Sequence, residues 1–124
     1  MKIIRLETTK MNFKSTIDFQ KDFKKLSKKF RSLGDDLVEF KKILSEAPLG
    51  IGKHFNVITK IGCLYIIKAR FFCKCLKKKD LRVIYAYIEN HQNIEMVGID
   101  FIELYFKGEK ENEDRKRIKE YLKK

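Results

Sequence analysis

The 124-residue chain has no Trp, one Pro, six Gly, two His and three Cys. Each scarcity excludes something. With one Pro among many Phe and Ile, the composition is that of a folding chain, not a disordered one. No phosphate-cradling Gly loop and no nucleophile elbow occurs, so nucleotide hydrolysis and serine hydrolysis have no support. Cys63, Cys73 and Cys75 lack zinc-site spacing, so neither a metal nor a cofactor is expected. An odd cysteine count, with no apolar run or cleavage site in Met1–Glu7, reads as cytoplasmic with free thiols. The longest apolar stretch, around Ile61–Ile67, is interrupted by Gly62 and ends at Lys68. That is far short of the ~20 residues a membrane-spanning helix needs. Acidic residues are scarce too: 17 Asp+Glu stand against 29 Lys+Arg, a formal net charge of +12. On so small a chain self-repulsion opposes compactness, so an anionic partner is expected.

What is present fits one domain over residues 1–124, with 1–11 an extra strand or a lead-in. Phe13, Ser15 and Ile17 alternate with polar residues, a weak strand pattern. Asp18 is a plausible cap for a helix carrying Phe19, Phe23, Leu26 and Phe30 on one face and lysines on the other. After a turn at Ser32–Gly34, capped by Gly34 or Asp35, a second helix carries Leu37, Phe40, Ile43 and Leu44; Pro48 and Gly50 end it. The basic charge is localised. Residues 20–31 carry a net +5 and residues 35–46 a net −2. Strands are predicted around 64–72, 81–89 and 94–106, with turn chemistry at 90–93 and a bend at Gly98. A final helix is predicted within 111–124. The class is α+β: an N-terminal strand and helical hairpin packed on an antiparallel sheet, with a C-terminal helix.

Strand alternation puts Lys68 and Arg70 on one sheet face, with Arg82 near the start of the next strand. Metal-free RNA cleavage uses the 2′-OH on the adjacent phosphate. It needs cations for the phosphorane charge and groups that take and give protons. Lys68, Arg70 and Arg82 can supply the cations, and Lys107 and Lys110 can add to the same pocket. Glu111 is a candidate base. Tyr85 and Tyr105 are candidates to stack a base, and Lys74, Lys77, Lys78 and Lys79 to contact RNA phosphates. His54 and His91 read as ordinary solvent-facing residues.

The run Tyr65-Ile66-Ile67-Lys68-Ala69-Arg70, a Lys-rich loop and Leu81-Arg82-Val83-Ile84-Tyr85 together resemble the central strands of RelE/ParE-type toxins. Tyr105 to Asp114 is similar to the end of the last strand and start of the final helix in one branch of that superfamily. The resemblance covers about residues 12–122. It implies a cytoplasmic toxin silenced by an acidic antitoxin. The toxin would be an mRNA endoribonuclease on translating ribosomes, contacting rRNA. Alternatively it would inhibit DNA gyrase without cutting anything, or be a degenerate toxin that only binds its antitoxin. Lys68 and Arg82 match the family's catalytic positions best. Ile66 stands where the best-known ribonuclease branch has a Lys, and Lys110 and Tyr121 match that branch's C-terminal Arg and Tyr only approximately.

Overall fold

The computed structural model describes residues 11–50, 52–76, 81–89 and 98–123. The order is β1 (Asn12–Ser15), α1 (Ile17–Ser27), α2 (Leu33–Glu46), a 3-10 turn (Gly52–His54), β2 (Phe55–Ile61), β3 (Leu64–Phe71), β4 (Leu81–Ile88), β5 (Gly98–Phe106) and α3 (Arg115–Leu122). The α+β class stands. The sheet, however, is mixed: its order is β1-β5-β4-β3-β2, with β1 parallel to β5 and the other pairs antiparallel.

β1 leads straight into α1 through Thr16. Its N–H donates to Phe101 O (2.9 Å), its hydroxyl donates to Ile102 O (3.3 Å), and the same Oγ accepts from Phe19 N (3.1 Å). The cap is therefore Thr16 and not Asp18, which lies in the first turn. The second helix starts earlier than its acidic residues suggest. Leu33 is its first residue and is fully buried. It ends at Glu46, before Ala47-Pro48, because the proline ring disfavours helical backbone in the preceding residue.

β2 escapes the alternation argument. A register shift between Val57 and Thr59 inserts Ile58 and breaks the period of two, and this edge strand is largely exposed. Gly62-Cys63 turns it into β3, with Gly62 at φ +58°, a conformation that favours glycine. The expected residues Ile94–Val97 and His91 lie outside the described residues.

The two sheet faces carry different cores. Ile67, Ala69 and Phe71 of β3, Val83 and Tyr85 of β4, and Phe101 and Leu104 of β5 pack against Phe19, Leu26, Leu33, Phe40 and Leu44 of the helical hairpin. Phe19 and Leu26 of α1 are thus core, as their spacing predicts; Phe23 is only partly buried, and Phe30, though core, lies beyond Ser27, where α1 ends earlier than the stripe suggests. Ile43 is not core, standing about half exposed on α2. On the opposite face Ile66, Ile84, Ala86 and Ile102 pack beneath Ile118 of α3. α3 is only eight residues long and covers one end of that face. The remainder is lined by polar side chains.

Asp22 closes the edge of β5 beyond its pairing with β1. Its Oδ2 accepts from Leu104 N (3.1 Å) and from Arg117 Nη1 (2.6 Å), and Arg117 also donates to Ile102 O (3.1 Å). A helix from each face of the sheet is thereby tied to the same strand.

Candidate functional site

Register places the polar residues of the second face in two cross-strand rows. Arg70 of β3 lies opposite Arg82 of β4, which lies opposite Tyr105 of β5. In the next row Lys68 lies opposite Ile84, which lies opposite Glu103. Directly opposed residues share a sheet face. The Lys68, Arg70 and Arg82 set is thus brought together, as alternation and order predict.

The pair Arg70/Arg82 stands out physically. Like charges directly opposite across strands are destabilising. Arg82 also donates from Nη1 to Leu81 O (3.5 Å). A ligand with several negative oxygens gains two planar forks.

Lys68 donates from Nζ to Glu113 Oε1 (2.9 Å), and Arg115 reaches Glu113 Oε2 (3.0 Å). Glu113 is buried, and burial alone would raise its pKa. The Lys68 hydrogen bond and charge, a backbone hydrogen bond and the Arg115 charge outweigh this and hold the carboxyl below its ordinary value. Glu103, 1% exposed, accepts from Lys110 Nζ through one oxygen and from Asp114 N (2.8 Å) through the other. Asp114 caps α3 by accepting from Arg117 N (3.1 Å). Of the acidic stretch before α3, Asp114 thus acts at the helix N-terminus, and Glu103 holds it to the sheet.

The other expected site residues divide. Lys110 joins the site, held by Glu103, with its ammonium 5.5 Å from the centre of the Tyr105 ring. Lys107 is exposed in the turn after β5, and Glu111 is exposed on the segment leading to α3; the carboxylates brought to the face are Glu103 and Glu113 instead. Lys74 is exposed in the turn after β3. Its backbone N–H donates to buried Asp36 (3.2 Å), which also accepts from Ser32 Oγ (2.6 Å). Lys77, Lys78 and Lys79 lie outside the described residues.

Tyr85 is a correction. It faces the helical hairpin, is fully buried and donates from its hydroxyl to Pro48 O (2.7 Å). It cannot stack a nucleobase. The parity of β4 puts it opposite in orientation to Arg82. Tyr105 has the other parity and stands in the arginine row. Glu103, Glu113 and Arg115 were not among the expected site residues. An acid inside the apolar Phe101–Phe106 run of β5 was a usable signal for Glu103; nothing local marks Glu113.

Cys73 and Cys75 lie past the end of β3, with Cys75 in a turn, and both approach Ser32. Cys73 Sγ lies 3.5 Å from Ser32 Oγ, and Cys75 Sγ accepts from Ser32 N (3.4 Å). Burial pushes the Cys73 thiol up, whereas hydrogen bonds from Ser32 lower Cys75. His54 is partly exposed and sits edge-on to Phe72. Among the described residues no group of three His, Cys, Asp or Glu could hold a metal, and no helix is long and apolar enough to cross a membrane.

A cavity of about 300 Å³ opens beside the site, between α1 and the turn after β5, and Lys25, Glu103, Tyr105 and Lys110 are among its walls. No family model, curated protein or solved structure matches the chain.

Proposed function

We propose that this chain is a toxin of the RelE/ParE type that cleaves mRNA without a metal, acting in the cytoplasm on translating ribosomes. The observation that carries the reading is the cluster of Lys68, Arg70, Arg82 and Lys110 on one sheet face, with two guanidiniums directly opposed. Cleavage of this kind forms a bond from the 2′-oxygen to the adjacent phosphorus and breaks the bond to the 5′-oxygen. The 2′ proton is lost to a base, and the 5′-oxygen gains one. The barrier lies in the charge that builds on the phosphorane oxygens, which fixed cations stabilise. Lys68 is the side chain held in place for this, since Glu113 anchors its ammonium.

The net charge of +12 supplies the affinity for rRNA and message phosphates. The same charge suits an acidic antitoxin that covers the face and competes with RNA for it. Primer extension on cellular messages after induction tests the reading. New message ends and growth arrest are expected, and both should vanish in the Lys68→Ala, Arg82→Ala double variant. Growth arrest without new ends refutes it.

One observation favours a second reading, a non-enzymatic inhibitor of DNA gyrase. Ile66 is fully buried against Ile84, Ile102 and Ile118, so that position offers no cation to a phosphate. Inhibition of supercoiling by the purified protein, with no RNA cleavage, would establish this second reading.

A further inference from the structure

We propose that the Tyr105 hydroxyl is the third donor of a site for phosphoryl oxygens, the other two donors being the guanidiniums of Arg70 and Arg82. Three observations carry this. Tyr105 is 5% exposed, and its Oη is buried with no hydrogen-bond partner among the described residues. Buried polar atoms are nearly always paired, because water is lost without replacement otherwise. Tyr85 illustrates the rule in the same sheet, with its hydroxyl satisfied by Pro48 O. An orphaned hydroxyl is what a ligand oxygen would satisfy.

Second, cross-strand register puts Tyr105 in one row with the two arginines, on the same face. The donor is therefore in the same cross-strand row as two cationic side chains. Third, Tyr105 lines the 300 Å³ cavity together with Lys110, the long side chain that lies across its ring. Lys110 is 42% exposed.

Burial pushes the Tyr105 phenol up to about 12, with the Glu113 and Glu103 charges adding to the rise and the Arg82 charge opposing it. The group therefore stays a neutral donor throughout the physiological range. It can bond a phosphoryl oxygen without changing protonation state.

The substrate of this site rests on the RNA-cleavage reading above, but its anion chemistry does not. The test is therefore binding first. Inorganic phosphate is titrated into the full-length protein at constant ionic strength and followed by NMR, for wild type and Tyr105→Phe. A lost hydrogen bond to a charged acceptor predicts about tenfold weaker phosphate binding in the variant. Because the hydroxyl bonds nothing among the described residues, the melting temperature should hold or rise. RNA cleavage, measured in parallel, should fall about 100-fold, the scale of one oxyanion donor.

Absence of phosphate binding in the wild type overturns the inference. So does equal affinity in the variant, or a melting temperature lowered by several degrees, which would reveal a structural partner for the hydroxyl. If phosphate binding weakens as expected while the wild type cleaves no RNA, the oxyanion site stands and the ribonuclease reading falls.

Discussion

Asp22 gives the sharpest test of how this fold is held. One carboxylate oxygen satisfies Leu104 N–H at an otherwise open strand edge and pairs with Arg117 of α3 at 2.6 Å. Both side chains are 20% exposed, between a solvated surface pair and a buried one. Surface pairs contribute about 0–1 kcal/mol, whereas breaking a buried pair costs about 3–5 kcal/mol. Hydrogen bonds to charged groups contribute about 1.5–3 kcal/mol. Asp22→Ala removes both contacts and regains a little helix propensity, so a net loss of ~2–4 kcal/mol is expected. At this chain length that lowers the melting temperature by roughly 10 °C. The internal control is Asp18→Ala. Asp18 approaches Arg117 only at 3.9 Å and is 57% exposed, so its removal should cost below about 1 kcal/mol. Urea unfolding of Asp22→Ala, Arg117→Ala and the double variant gives the coupling, expected at ~1–3 kcal/mol. A coupling within about 0.5 kcal/mol of zero, or an Asp22→Ala cost no larger than that of Asp18→Ala, would refute the role of this network.

Two further predictions follow from buried groups. Glu113 is held below its ordinary pKa in the folded protein, so its stabilisation is present above the unfolded carboxylate value of about 4.3 and is lost as pH falls through the lower folded value. The stability gap between wild type and Glu113→Gln should therefore be wide at neutral pH and narrow on acidification; a gap independent of pH in urea melts contradicts this. Tyr85→Phe removes the hydrogen bond to Pro48 O and should lower stability by about 1 kcal/mol while leaving RNA cleavage unchanged. Lost cleavage at unchanged stability would place Tyr85 at the substrate instead of in the core.

Local pattern was enough for much of this molecule. The spacing of Phe19, Phe23 and Leu26 put them on one helix face, and the alternation of β3 forced Lys68 and Arg70 onto one face whatever that face met; Phe30 reaches the same core from beyond the helix end, which spacing did not show. The charge, the α+β class and the terminal helix were equally local. β2 was not legible, because its bulge and its exposed edge position erase the period of two on which a strand is read. Tyr85 and Tyr105 look alike in sequence. Their opposite fates follow from strand parity relative to the helical hairpin, a decision made by packing across the sheet. Register across β3, β4 and β5 set Arg70 against Arg82 and placed Tyr105 beside them. It depends on hydrogen bonds between segments separated by loops, so no single stretch of chain encodes it. Glu103 and Glu113 became anchors only when α3 folded back over the sheet. The sequence thus determined which residues could carry charge on a common strand face. The tertiary structure decided which of them meet, because opposed cations and an orphaned hydroxyl exist only once strands pair.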